Sequence, residues 1–372
     1  MRTELCDRFG IDYPIFAFTP SEKVAAAVTR AGGMGVLGCV RFNHPDELES
    51  VLCWMDENTD GKPYGVDIVM PAKVPTEGTS VDIDALIPQT HRDFVVKTLA
   101  DLGVPPLPDD AARNEGTLGW LHSVARSHVD VALKHPIKLI ANALGSPPND
   151  VIDQAHAAGV AVAALAGSAK HAQRHAANGV DIVIAQGSEA GGHTGEIGSV
   201  VLWPEVVDAV GDTPVLAAGG IGTGRQVAAA LALGTAGVWM GSVWLTAAEY
   251  DLGVRNDDGR SVIQEGLLAA TSSDTVRRRI YSGKPARLLK SRWTEAWDAE
   301  SAPEPLPMPL QNILVAEAHQ RMSQSHDPTT VAMPVGQIVG RMNDIRPVAD
   351  IIAELVSGFE AATRKLDDIR DS

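Results

Sequence analysis

Eight short, almost uninterrupted apolar runs punctuate residues 14–241, and no other property of the chain limits its possible folds as tightly. They are Pro14–Phe18, Gly35–Gly38, Gly65–Val69, Lys138–Asn142, Val160–Leu165, Asp181–Gln186, Pro214–Gly219 and Gly237–Gly241. Such continuity reads as strands covered on both faces. The runs start 21, 30, 73, 22, 21, 33 and 23 residues apart, and intervals of about 20–30 suit a parallel strand plus a crossover helix. Eight units predict an α/β fold, a (β/α)8 barrel. Between them, Asp150–Ala158, Ala169–Asn178 and Gly224–Leu233 read as helices, each ending at a glycine (Gly159, Gly179, Gly234) able to take the left-handed cap conformation. A doubly wound open sheet would carry its glycine-rich phosphate loop after the first strand. Thr19-Pro20-Ser21 stands there instead.

The 73-residue interval exceeds one crossover, so a helical insertion after the third strand is expected at about 71–119, broken by the Pro-rich Val104–Pro108. From about Tyr250 the rhythm stops. The expected organisation is a barrel core of residues 1–250 plus 335–368, with 251–334 as an extension packing on the barrel face. That extension holds the basic stretch Arg277–Arg292 and the linker Pro303–Pro309, and Arg346–Asp368 reads as a long helix. Gln226–Ala248 carries no charge and is long enough to span a bilayer. Gly234-Thr235, Gly237, Gly241 and Ser242 divide it into helix end, turn, strand and turn.

The formal charge of −16 sets a field that repels phosphate backbones, so nucleic acid and anionic membranes are not expected as partners. Cys6, Cys39 and Cys53 are the only cysteines and form no C-x-x-C pair. Neither a disulfide framework nor a structural zinc is expected from that spacing, and a reducing cytosol suits it. The N-terminus mixes both charge signs before any apolar stretch, unlike a signal peptide.

Chemistry concentrates after the sixth run, in Gln186-Gly187-Ser188-Glu189-Ala190-Gly191-Gly192-His193-Thr194-Gly195. Its four glycines let backbone amides approach a ligand closely. A lone histidine there, His193, can titrate near neutral pH as a base for a carbon-bound proton. The bland reading is a turn whose histidine caps a helix, but strand ends are where barrels keep their chemistry. Gly219-Gly220-Ile221-Gly222-Thr223-Gly224-Arg225 follows the seventh run. Arg225 breaks the dinucleotide fingerprint, leaving a glycine nest before a helix that suits phosphate. Met240-Gly241-Ser242 adds a second such turn. His171 and His175 have the i, i+4 spacing of zinc ligands, but no third ligand is evident, so a solvated helix face is expected. Arg277-Arg278-Arg279 reads as a solvated strand edge. Trp120, Trp203, Trp239, Trp244 and Trp293 read as core or pocket wall.

These segments resemble the nitronate monooxygenases, formerly called 2-nitropropane dioxygenases. The likeness lies in AQGSEAGGHTG, PVLAAGGIGTGRQVAAALALGTAGVWMGS, YSGKPARLLKSRW, the opening PIFAFTP…AAAVTRAGGMGVLG and the late VGQIVGRMNDIRPVADIIAELV. It covers roughly residues 12–69 and 138–356. Flavin-dependent enoyl-(acyl carrier protein) reductases share the glycine motifs. The resemblance implies a non-covalent FMN on the barrel's C-terminal face. It implies that the backbone of Ala17, Phe18 and Thr19 flanks the ring, with Gln186 and Gly191 in the sixth-strand motif. Gly219 and Gly220, with Trp239, Met240, Gly241 and Ser242, would form the phosphate loops, and Gln337 would return near the flavin. His193 falls on the histidine assigned to proton abstraction or substrate contact. Asp67 stands where the family usually carries Asn, and Trp239 where it usually carries Gln. Ala17-Phe18-Thr19 replaces the usual Ala-Pro-Met. The implied activity is oxidation of nitronates by O2. An NAD(P)H-dependent enoyl-thioester reductase is the alternative, a non-catalytic flavin module a third reading, and a homo-oligomer is left open.

Overall fold

The computed structural model describes residues 1–70, 84–108, 122–256 and 259–372. Eight parallel strands close a barrel. They are β1 (Ile15–Thr19), β2 (Met34–Gly38), β3 (Gly65–Asp67), β4 (Leu139–Asn142), β5 (Ala161–Ala166), β6 (Ile182–Gln186), β8 (Val215–Ala218) and β9 (Gly237–Met240). Each lies within or overlaps one of the eight apolar runs. The ring shuts where Ile15 pairs with Val238 and Ala17 with Met240.

Period-two alternation sorts the side chains. Phe16, Met34, Leu139, Ile184, Leu216 and Trp239 fill the interior, with Leu5 and Phe9 of the helix Glu4–Phe9 in the same cluster. Ile15 and Ala17 point outward, against Val24 and Val28 of the helix Glu22–Arg30. The expected helix ends hold: Gly159, Gly179 and Gly234 have φ of +70°, +86° and +92°. The uncharged stretch resolves into the helix Gly224–Ala232, β9 and a 3-10 turn Ser242–Thr246. No helix among the described residues is long and apolar enough to cross a membrane.

A second, small antiparallel sheet was not foreseen by the periodicity. It runs β10 (Thr275–Arg278), β11 (Ala286–Leu289), β7 (Gly192–His193), with Ala286 opposite His193 and Arg287 opposite Gly192. The sheet fastens residues 275–289 onto the loop after β6. Of the expected insertion at 71–119, residues 71–83 and 109–119 lie outside the described residues, as does Trp120. The part described contains the helix Gln89–Asp101. Its Val95 and Leu99 bury against Trp293, Trp297, Val315 and Met322 from the region 251–334, a cluster separate from the barrel's own. The last helix, Val348–Asp371, crosses the helix Gly224–Ala232 so closely that a Cβ on Gly224 would stand 2.2 Å from the Leu355 carbonyl oxygen. Gly224 therefore serves packing.

Candidate active site

A cavity of about 380 Å³ opens at the C-terminal ends of the strands, within the roughly 300–1,000 Å³ usual for small-molecule sites. Phe18 and Trp239, on adjacent strands, stack there with ring centroids 6.2 Å apart and planes inclined by 22°. Asp67 at the end of β3 and Gln186 at the end of β6 also face the cavity. Asp67 is 3 % exposed, makes no side-chain hydrogen bond among the described residues, and is pushed up to about 7 by burial. An ionised carboxylate loses hydration there that nothing replaces.

Two glycine turns line the same cavity. Gly219 and Gly220 have φ of +107° and +71°, a succession that glycine adopts without strain. The amides of Gly220, Ile221 and Gly241 donate to no protein acceptor among the described residues. Unpaired donors beside a helix N-terminus are chemically suited to an anion. Neighbouring side chains hold the turns still. The indole N–H of Trp203 donates to the Ala218 carbonyl at 3.1 Å, and that of Trp244 to the Met240 carbonyl at 2.8 Å. The Ser199 hydroxyl lies 2.9 Å from a Glu189 carboxylate oxygen and 3.0 Å from the Gly219 carbonyl oxygen, its one proton shared between the two acceptors. Glu189 also accepts from the Ser199 amide, capping the helix Ser199–Val210. The loop after β6 and the turn after β8 are thereby tied together.

His193 stands where this cavity meets a wider one of about 710 Å³. Its Nε2 lies 2.6 Å from Ser282 Oγ, and Ser282 is itself buried. Burial first, and the nearby Lys284 cation second, lower the imidazole to about 4. This corrects the expected titration near neutrality: His193 is uncharged at pH 7. The loop bearing it is clasped from outside, since Arg277 donates to both the hydroxyl and the carbonyl of Thr194 and Arg287 to the Ser188 carbonyl. Behind it, Gly191 lies against Val335 and Gly336 with no room for a Cβ.

The cavity brings together Phe18, Asp67, Gln186, Gly191, His193, Gly219, Gly220, Trp239, Met240, Gly241 and Ser242. Ala17 and Thr19 do not line it: Ala17 packs in the outer core, and Thr19 Oγ1 accepts from the Ser21 amide. Gln337 is a backbone clip, its amide donating to the Glu189 carbonyl at 2.9 Å, while Ile338 next to it reaches the cavity. The solvated-face reading holds for His171 and fails for His175. His175 is buried, bonded through Nδ1 to Ser146 and through Nε2 to the Leu165 carbonyl, so neither nitrogen is free for a metal. The basic run does begin on an edge strand, but its guanidiniums are engaged, Arg278 with Asp298 and Arg279 with the Gly283 carbonyl. Tyr281, Ser282, Met308 and Asn312 also line the cavity and were not singled out from sequence. The motif YSGKPARLL was the signal for the first two.

Comparison with known proteins places this geometry among relatives. The family model for nitronate monooxygenase matches residues 2–358. A protein of Mycobacterium tuberculosis with a provisional monooxygenase name is 48% identical, covering 96% of each chain. A Staphylococcus aureus protein provisionally named a nitronate monooxygenase is 26% identical over 96% of this chain and 97% of its own. Among solved structures, nitroalkane oxidase from Streptomyces ansochromogenes superposes with a TM-score of 0.78 at 25% identity, covering 97% and 99% of the two chains. FabK from Thermotoga maritima superposes with a TM-score of 0.75 at 26% identity, covering 99% of both.

Proposed function

The chain belongs to the nitronate monooxygenase family and is an oxidoreductase of that type, and from this premise we propose that it binds FMN and oxidises alkyl nitronates with molecular oxygen. The observation that carries the proposal is the polarity of the cavity. One part offers the unpaired amides of Gly220, Ile221 and Gly241, matched to a phosphate. Another offers flat aromatic surface and a neutral histidine. The flavin, when bound, would supply the capacity to take electrons from the substrate and pass them to oxygen.

The rest of the chemistry belongs to the chain's own residues. An imidazole lowered to about 4 is a weak acceptor for a carbon-bound proton at neutral pH. A nitronate has already lost that proton, so His193 serves it as a neutral hydrogen-bonding group held by Ser282. The two hydrogen-bonding roles of Ser282 are compatible. Its Oγ accepts the Lys284 amide at 3.3 Å and can still either donate to Nε2 or accept from an Nε2–H. Both neutral tautomers are therefore held: one carries an Nδ1–H to donate, the other leaves the Nδ1 lone pair for a proton. The overall charge of −16 does not bar an anionic substrate, because local amides and Lys284 set the field at this mouth.

The visible spectrum of the purified protein and the mass of its released chromophore test the reading directly: FMN is expected, and a colourless protein that takes up no flavin overturns it. For the phosphate loops, Gly241→Val is a cleaner probe than Gly220→Val. At Gly220 the positive φ strains any larger residue, whereas a Cβ on Gly241 makes ordinary contacts with Phe18 alone, 3.7 Å from its Cδ1 and 3.9 Å from its carbonyl oxygen. The Gly241→Val protein is expected to fold with the wild-type melting temperature and to purify pale. Full flavin occupancy in it would move the phosphate elsewhere.

The wider cavity supports a second reading. It reaches from His193 past Leu144 and Gly167 to His171, Arg174 and Lys284, room for a long acyl chain or a second nucleotide, as an NAD(P)H-dependent enoyl-thioester reductase requires. The likeness to FabK accords with this. Rapid anaerobic bleaching of the bound flavin by NADH or NADPH would favour the reductase, and slow bleaching the nitronate enzyme.

A further inference from the structure

We propose that this chain carries a zinc-class metal site on its outer helical layer, made by Glu49, Cys53 and His135, remote from the barrel mouth. Glu49 and Cys53 stand one turn apart on the helix Pro45–Asn58, and His135 comes from the turn that precedes β4. One ligand atom from each lies within 4.8 Å of the other two. None of the three lines either cavity.

The histidine is the strongest part of the case. Its side chain is 5 % exposed, and its buried Nε2 has no hydrogen-bond partner. The other nitrogen, Nδ1, lies 2.7 Å from Asp56 Oδ2. Asp56 is held in turn by the Tyr64 hydroxyl, which donates to its Oδ1 at 2.6 Å. A carboxylate on Nδ1 fixes the tautomer that protonates Nδ1, so the Nε2 lone pair is left facing Glu49 Oε1 at 3.6 Å. This is the second-shell arrangement that orients metal-ligating histidines. Without a cation, a buried lone pair facing a carboxylate leaves an acceptor unsatisfied.

Thiolate, imidazole and carboxylate together suit Zn²⁺ and its neighbours better than Mg²⁺ or Ca²⁺. Bonds of about 2.0–2.3 Å place tetrahedral ligand atoms roughly 3.4–3.7 Å apart, so closure takes about 1 Å of side-chain movement. Glu49 and Cys53 are partly or fully exposed, which gives them the freedom to close and the ion a path in. Three protein ligands leave the fourth position to water. The spacing of the cysteines alone argued against zinc. The fold supplies what spacing could not, a histidine from 82 residues beyond Cys53.

The test uses the full-length protein after chelator treatment, titrated with Zn²⁺ against a chromogenic zinc chelator. One tightly held equivalent is expected. Cys53→Ser and Glu49→Gln should each weaken it at least about tenfold, and Asp56→Asn by about 10–100-fold through the outer shell. Cys53→Ser changes an exposed side chain, so its fold is checked simply by circular dichroism. Alkylation gives an independent reading: Cys6 and Cys39 are fully buried, so the rapidly labelled thiol is Cys53, and one equivalent of Zn²⁺ should protect it. Failure to retain one equivalent, or equal retention by Cys53→Ser, would overturn the site and leave His135 as a structural residue between Asp56 and Glu49.

Discussion

Replacing His193 by asparagine is expected to cut turnover of neutral nitroalkanes about 10²-fold at pH 7, while turnover of preformed nitronates falls by less than about tenfold. The asymmetry follows from where the proton is. A neutral nitroalkane must surrender a carbon-bound proton, and His193 is the titratable group at the junction of the two cavities placed to accept it. Its low basicity, with a value of about 4, puts the contribution at the lower end of the range for a positioned base. A nitronate asks only for a hydrogen bond, which asparagine supplies in part. The pH profile carries the sign. A histidine with a lowered value is deprotonated, and active, above that value. In an Asp67→Asn background, which removes the cavity's group titrating at about 7, activity on nitroalkanes should therefore fall as pH drops through about 4, with no step near 6.5, and the limb should vanish when His193 is also replaced. Equal losses on both substrates would make His193 a binding group only. A limb near 6.5 would mean that the imidazole is not held in the apolar environment seen here.

That lowered value marks the boundary of what the sequence could tell. The barrel was legible because parallel strands buried on both faces leave near-continuous apolar runs, and residues 14–241 carry eight of them. The glycine turns were legible because their positions after the seventh and eighth runs fix them to the mouth. The environment of His193 was not, since it depends on Ser282 and Lys284, some ninety residues away in sequence. The two-residue strand Gly192–His193 that brings them together is too short to show any period. His175 was misread for a related reason. A histidine four residues after another looks like a solvated pair, and only the contacts of Ser146 and Leu165 reveal a buried one. The Glu49, Cys53 and His135 cluster was not singled out at all, because an i, i+4 Glu–Cys spacing carries no signal without the distant histidine and its carboxylate brace.

Asp67, at a position where the resemblance drawn from the sequence leads one to expect Asn, is the residue to which the structure attaches the largest consequence. Its carboxyl rises from an ordinary 3.8 to about 7 because burial strips its hydration without an ion pair or hydrogen bond in return. A raised folded-state value means that the native protein holds a proton the unfolded chain has released. Stability is therefore lost as pH rises from about 4 through 7, at about 1.4 kcal/mol for each unit between the two values. Asp67→Asn cannot ionise, so it should be more stable than the parent by about 4 kcal/mol above pH 7, with the difference vanishing below about pH 4. Urea unfolding of the flavin-free proteins at pH 4, 6 and 8 measures this. A difference independent of pH would show that the carboxylate is hydrated or paired. The same charge bears on the proposed flavin. A carboxylate facing the ring opposes gain of negative charge there, by about 1–3 kcal/mol at the effective dielectric of protein sites. The asparagine variant should then raise the two-electron potential of the bound flavin by about 20–60 mV at pH 8, and by much less at pH 5, where Asp67 is already protonated. An unchanged potential at pH 8 would place the ring away from β3, and the substrate, rather than the flavin, against Asp67.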